Sequence, residues 1–136
     1  MTGNAIAEAA EACLGTPFVL HGRDPAAGLD CIGLIEQAIA ATGGTPRLPR
    51  SYALRTSQWA ALPAIATGLG FVEVTARLEA GDICLIQPAP AQWHFAVAAC
   101  SQAGLIEAHA GLRRVVRTPL PYPHPILRRW RWVGTE

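Results

Sequence analysis

The chain has 136 residues and a formal net charge of +1; hydrophobic residues make up 51% of it and charged residues 15%. This composition excludes an intrinsically disordered chain, and the small net charge provides no strong attraction to nucleic acid or to a membrane surface. A chain of this length buries roughly two-thirds of its unfolded surface, so it can form a core without disulfides or a metal. We therefore expect a single domain over residues 1–136.

The N-terminal segment predicts a helix and not an export signal. It has no basic region, and Glu8 and Glu11 interrupt its apolar residues. No apolar run in the chain approaches the ~20 residues of a membrane span. We therefore expect synthesis in the reducing cytoplasm and free thiols at the four cysteines, which are Cys13, Cys31, Cys84 and Cys100.

The first half of the chain predicts helices. Asn4 is expected to cap a helix over residues 5–14, and Asp30 is expected to cap a second helix over residues 31–42. Between them, residues 21–30 contain the glycine and proline that are typical of a loop. Further short helices are expected at residues 52–58 and 59–67.

The second half of the chain predicts strands. Six segments with strand-like composition are separated by Gly, Pro or Asp turns, at residues 71–75, 83–87, 93–100, 105–110, 115–118 and 126–133. Helices followed by a run of antiparallel strands are typical of an α+β fold. We expect N-terminal helices packed on an antiparallel sheet of about five to six strands.

Cys31 lies at the predicted start of the second helix. Apolar residues at positions 31, 34, 35, 38 and 39 form the stripe of a helix that is buried on one side. At the first turn, unpaired backbone N–H groups and the positive end of the helix dipole favour a thiolate over a thiol. The alternative is that Cys31 is only the first residue of the core stripe, and the spacing alone leaves both open.

Two histidines on neighbouring predicted strands favour the interpretation of Cys31 as a reactive thiol over that of a core residue. Alternation places His94 on one face with Ala96 and Ala98, small residues on which a helix could pack closely. A hairpin at residues 101–104 would bring His109 to that face, roughly 5–8 Å from His94, either directly opposite or diagonal to it. With Cys31 on the helix, this predicts a nucleophile, a base and an orienting group.

Other interpretations of these residues compete with a thiol mechanism. Cys31, His94 and His109 could instead form a three-ligand metal site with one open position. Each histidine could also be an ordinary half-exposed strand residue. The basic, aromatic segment at residues 128–132 could contact nucleic acid or an anionic glycan, but we favour a terminal strand with tryptophans on one face and arginines on the other.

The chain resembles the NlpC/P60 family in four blocks that occur in the family's order. They are LGTPFVLHGRDPAAGLDCIGLI at residues 14–35, LEAGDICLI at 78–86, WHFAVAAC at 93–100 and LIEAHAG at 105–111. The block around the cysteine is the most specific. The compact layout is most similar to the phage and gene-transfer-agent cell wall peptidases of that family.

The resemblance implies a papain-like fold and a cysteine peptidase that cleaves amide bonds in the stem peptides of bacterial peptidoglycan. It implies Cys31 as nucleophile, His94 as base and His109 as third member of a triad, with no metal and no cofactor. We also expect substrate contacts from residues near the cysteine, namely Phe18, His21 and Asp30. Arg23, Arg47, Arg50 and Arg55 flank the expected cleft and could bind substrate carboxylates.

The resemblance also leaves departures and alternatives. Ile32 replaces the usual Ser after the nucleophile, Phe18 replaces a common Tyr, and His21 replaces the first Gly of a usual pair. The alternatives are a non-catalytic phage-tail or wall-contact binding module and a thiol-dependent acyl transferase. Partners could include proteins of a phage-tail-like particle that would deliver the chain to the periplasm.

Overall fold

A computed structural model describes residues 2–43, 62–90 and 92–134 of the chain. The helix expected at residues 52–58, and with it Arg47, Arg50 and Arg55, lies outside this range. No helix in the described residues has the length and apolar character needed to cross a membrane.

Three α-helices occur in the described part of the chain. Helix α1 covers Gly3–Glu11, helix α2 covers Cys31–Ala41 and helix α3 covers Leu62–Leu69. The predicted cap of α1 was wrong: the Thr2 hydroxyl accepts a hydrogen bond from the Ala5 N–H at 3.0 Å, so the helix begins before Asn4. The predicted cap and start of α2 are confirmed, since Asp30 accepts from the Gly33 N–H at 2.8 Å.

Eight strands accompany these helices in the described residues. Two short strands within the loop before α2 form a hairpin, β1 at Arg23–Asp24 and β2 at Gly28–Leu29. The main sheet contains β3 at Phe71–Glu73, β4 at Ile83–Ala89, β5 at Gln92–Ala98, β6 at Leu105–His109, β7 at Arg114–Thr118 and β8 at Ile126–Trp132. These six strands pair antiparallel in the order β3–β8–β4–β5–β6–β7, which confirms the predicted α+β fold.

The main core lies between the sheet and helices α1 and α2. Phe95, Val97 and Ile106 pack on the helix side, whereas Ala96 and Ala98 face a smaller apolar cluster on the other side of the sheet. The expectation that the alanine face receives the helix was therefore wrong. Burial of the larger side chains on the helix side removes more apolar surface from water than burial of two alanines would.

The register between β5 and β6 determines which residues meet at the site. Val97 lies opposite Ile106 and Ala98 opposite Leu105, which is the first of the two predicted registers, the one with His94 directly opposite His109. In the described residues, the pairing of these strands is limited to those two positions and stops before the histidines. Helix α2 contacts both strands, so its first residue can approach His94 at the unpaired end.

Strand β8, which lies between β3 and β4, carries two arginines that pair with a buried carboxylate. Asp82 has no exposed surface; its carboxylate binds Arg131 at 2.9 and 3.0 Å and Arg129 at 3.3 Å. Trp130 is buried on the opposite face with the main core. These contacts confirm the interpretation of residues 128–132 as a structural strand.

Candidate active site

Cys31 is the first residue of α2 and lines a cleft of about 510 Å³. The side chain is 3% exposed. A helix leaves the N–H groups of its first residues without intrahelical partners, and Cys31 itself lies at this end of α2. The cleft continues over Phe18, Trp93 and Tyr122, which give it an aromatic lining.

The loop before α2 holds the cysteine in place through Asp30. One carboxylate oxygen accepts from the Gly33 N–H at 2.8 Å and from Arg23 at 2.7 Å, and the other accepts from the His21 N–H at 2.9 Å. Arg23 also lies 3.6 Å from Glu36 on α2. Both oxygens of Asp30 are therefore occupied by the chain itself.

Two glycines allow the loop to lie directly on the start of the helix. A methyl group at Gly33 would overlap the carbonyl oxygen of Gly22, so the backbones are closer than any side chain permits. Cys31 is thus fixed between a capped helix end and a closely packed loop.

His94 joins the cysteine to a buried carboxylate. Its Nε2 lies 2.9 Å from Oε1 of Glu107, which is 3% exposed. In the observed register, Glu107 is the diagonal neighbour of His94 across the strand pair. Since Glu107 occupies Nε2, the remaining ring nitrogen, Nδ1, is the one available to Cys31.

The interactions of His94 make it a cation at neutral pH. Burial alone lowers the pKa of the imidazole, but hydrogen bonds and electrostatic interactions with Cys31 and Glu107 raise that pKa to about 9. Cys31 and His94 line the same cleft. A protonated imidazole beside a sulfur is the arrangement that stabilises a thiolate nucleophile.

The carboxylate beneath His94 is itself held by two hydroxyl groups. Tyr122 donates to Oε1 of Glu107 at 2.8 Å, and Thr118 donates to Oε2 in a short hydrogen bond. Burial raises the pKa of Glu107, but the hydrogen bonds from His94, Thr118 and Tyr122 outweigh it and hold the pKa at about 2. Glu107 therefore remains a carboxylate over the whole physiological pH range.

The predicted third member, His109, lies elsewhere in the cleft. It lines the wall, and its Nδ1 accepts a hydrogen bond from the Leu112 N–H at 3.0 Å. Among the described residues, the side chain that hydrogen bonds Nε2 of His94 is Glu107. Alternation along the predicted strand at residues 105–110 also places Glu107 on the face of His109, so the sequence contains a signal for the carboxylate.

The structure places only some of the predicted substrate contacts in the cleft. Phe18 and Asp30 line the cleft, whereas His21 is exposed and is not among the described residues that line it. Arg23 pairs with Asp30 in the loop and with Glu36 on α2, so its guanidinium is already engaged within the chain. Ile32 is 5% exposed and packs in the main core.

The competing metal-site interpretation receives no support from this geometry. The described residues hold no group of three or more His, Cys, Asp or Glu side chains arranged around a possible metal position.

No protein-family model and no curated protein matches the sequence. Among solved structures, NlpC1 and NlpC2 from Trichomonas vaginalis are similar with a TM-score of 0.70 each, at 18% and 19% sequence identity. The match with NlpC1 covers 96% of this chain and the match with NlpC2 covers 98%. This chain spans 44% of the length of NlpC1 and 47% of the length of NlpC2, less than half of each. The NlpC/p60 domain of the peptidoglycan hydrolase SagA has a TM-score of 0.66 at 20% identity, over 98% of this chain and 100% of that domain. These likenesses show that the chain has the fold of NlpC/P60 domains.

Proposed function

We propose that residues 1–136 act as a cysteine peptidase on amide bonds in peptidoglycan stem peptides. The observation that carries this proposal is that Cys31, His94 and Glu107 line one cleft, where His94 is hydrogen-bonded to the buried Glu107 and interacts with Cys31. The fold shared with a peptidoglycan hydrolase domain supports the choice of substrate. The predicted relation to phage or gene-transfer-agent peptidases has no support among the compared structures and stays a prediction, as does delivery by a particle.

The proposed reaction begins with attack of the Cys31 sulfur on the carbonyl carbon of a substrate amide. The N–H of Cys31, at the start of α2, stabilises the negative charge that develops on the carbonyl oxygen. The His94 imidazolium then gives its proton to the leaving amine, and an acyl-enzyme remains. His94, now neutral, takes a proton from water, which attacks the acyl carbon and releases the acid and the thiolate.

Glu107 serves the same reaction without touching the substrate. Its charge stabilises the imidazolium, and its hydrogen bond to Nε2 keeps Nδ1 directed to the sulfur. In the proposal it takes the orienting role that the sequence resemblance had assigned to His109.

The first test compares two cysteine variants on purified peptidoglycan. Cys31→Ala removes the nucleophile, so release of soluble fragments should fall to the level of a no-enzyme control. Cys100→Ala is the matched control, because Cys100 is half-buried outside the cleft and should leave hydrolysis unchanged. Equal hydrolysis by Cys31→Ala and the parent would contradict the proposal.

Two further measurements separate the alternatives. Iodoacetamide should alkylate Cys31 at neutral pH, and complete inertness of the sulfur would favour a non-catalytic wall-binding module. Mass analysis of muropeptide products separates hydrolysis from acyl transfer. Water adds 18 Da across the cleaved bond, whereas transfer joins the acyl fragment to a second amine.

A further inference from the structure

His109, which is not part of the His94–Glu107 pair, lines the cleft, and a hydrogen bond defines the orientation of its ring. His109 ends β6, and its Nδ1 accepts a hydrogen bond from the Leu112 N–H at 3.0 Å. A ring nitrogen that accepts carries no hydrogen, so the neutral ring holds its proton on Nε2. The contact with Leu112 therefore specifies one tautomer of His109.

The turn that orients His109 is itself anchored. The Arg113 N–H donates to the Ala110 carbonyl at 3.2 Å, and Arg113 adopts a left-handed φ of 63°. The Arg113 carbonyl accepts from the Phe18 N–H at 2.9 Å, which ties the turn to the segment that leads to the cysteine. Gly111 lies against the Nδ1 side of the ring, where a Cβ would be 3.1 Å from Cε1.

This arrangement leaves one polar group of His109 for a ligand. Nδ1 is engaged by the backbone, so Nε2–H is the donor that the ring can offer to the cleft. The two carboxylates that line the same cleft are occupied: Asp30 by the loop and Glu107 by His94, Thr118 and Tyr122. Because both carboxylates that line the cleft in the described part of the chain are already paired, the Nε2–H of His109 is free to donate to an acceptor on a bound ligand.

We propose that His109 is a substrate-binding residue that donates a hydrogen bond from Nε2 to an oxygen of the bound peptide, and that it is not a member of the acid–base pair. This inference rests on the proposed function for the identity of the ligand. It assigns to His109 the role of holding the peptide beside Cys31.

The experiment uses two isosteres of the two ring nitrogens. His109→Asn places an amide oxygen near the position of Nδ1, so the contact with the Leu112 N–H can persist while the Nε2 donor is lost. His109→Gln places an amide N–H near the position of Nε2 and so restores the donor. Loss of one hydrogen bond should raise KM about tenfold in His109→Asn, and His109→Gln should recover most of that loss.

The readouts distinguish binding from acid–base catalysis. In His109→Asn, kcat, its pH profile and the rate of Cys31 alkylation should match the parent. A lower kcat with a shifted pH profile would place His109 in the proton-transfer chemistry and overturn the inference. An unchanged KM would overturn it as well, because the side chain would then not contact the peptide.

A binding measurement keeps this test separate from that of the proposed function. Muropeptide affinity is measured for Cys31→Ala with and without His109→Asn, where no turnover occurs. Affinity should fall about tenfold in the double variant. If the parent binds peptides without cutting them, the peptidase proposal fails while this comparison still decides the role of His109.

The same comparison identifies the acceptor oxygen. With peptides whose free carboxylates are amidated, the effect of His109→Asn should disappear if the acceptor is a carboxylate and persist if it is an amide carbonyl.

Discussion

Glu107 is an ionised carboxylate that the fold buries almost completely. Burial of an ionised carboxylate is costly unless hydrogen bonds compensate it. Here three donors surround the two oxygens, from His94, Thr118 and Tyr122. The result is a permanent negative charge directly behind the imidazole, which favours the protonated ring that the proposed reaction needs.

Glu107→Gln should reduce kcat/KM about 100-fold while the chain remains folded. The amide oxygen can still accept from His94, but the charge that stabilises the imidazolium is gone. The pKa of His94 should therefore fall below its value of about 9 in the parent. Because the ring must be protonated to supply the leaving amine with a proton, the alkaline limb of the kcat/KM profile should move to lower pH.

The matched control for this variant is Glu73→Gln, an exposed carboxylate on β3 at the far edge of the sheet. It should leave both the rate and the pH profile unchanged. An alkaline limb that stays at the parental pH in Glu107→Gln would show that Glu107 does not set the protonation of His94.

Strand alternation alone does not predict whether Glu107 or His109 contacts His94. Alternation and the hairpin put both side chains on the face of His94, and the observed register agrees. Which of them contacts His94 depends on the direction of each side chain. The turn after β6 draws the His109 ring to the Leu112 N–H, and a local backbone contact of this kind leaves no periodic signal in the sequence.

Among the secondary-structure elements, α2 and its preceding loop do the most to position the site. The cap at Asp30 was predictable because an Asp before an apolar helical stripe is a strong local signal. The β1–β2 hairpin was not, because two-residue strands are too short to show alternation. The loop that contains this hairpin also packs Gly22 closely against Gly33, a tertiary contact that sequence periodicity does not predict.

Asp30→Ala tests whether Asp30 supports the helix or contacts the substrate. Loss of the cap should lower the free energy of unfolding by about 2 kcal/mol, measured by urea denaturation, because the N–H groups of Gly33 and His21 lose their acceptor. Arg23 also loses its nearest carboxylate. Both kcat and KM should worsen, since the loop and the cysteine shift together.

Asp24→Ala is the matched control in the same loop. Asp24 is exposed and accepts only from the Ala26 N–H at 2.9 Å in the described structure, so stability should change by less than about 0.5 kcal/mol. If Asp30→Ala raised KM alone and left stability intact, the original expectation of a direct substrate contact would be supported instead.

Taken as one folded chain, the protein assembles its site from elements that are far apart in sequence. Cys31 comes from α2, His94 from β5, and the two hydroxyl donors to Glu107 come from β7 and the segment before β8. An antiparallel sheet of about five to six strands was predictable from the number of strand-like segments and their turns, whereas the position of β8 between β3 and β4 was not predicted. The convergence of Thr118 and Tyr122 on one carboxylate was not, because it depends on how the sheet and its connecting segments pack together.

The opposite pKa shifts of Glu107 and His94 predict a pH window of maximum stability. The pKa of Glu107 is lowered from 4.5 to about 2, so its contribution is present above pH 4.5 and is lost as the pH falls through 2. The pKa of His94 is raised from 6.5 to about 9, so its contribution is present below pH 6.5 and is lost as the pH rises through 9. The free energy of unfolding should therefore be highest between pH 4.5 and 6.5.

Urea denaturation of the parent and Glu107→Gln from pH 3 to pH 9 checks this window. The parent should lose more stability than the variant between pH 6.5 and 9, because the substitution removes the part of the His94 shift that Glu107 causes. Burial also raises the pKa of the Cys84 thiol, to about 12, and this lowers stability mainly above pH 9, outside the interval compared. Equal losses of stability in the parent and in Glu107→Gln over this interval would show that Glu107 does not hold His94 as an imidazolium.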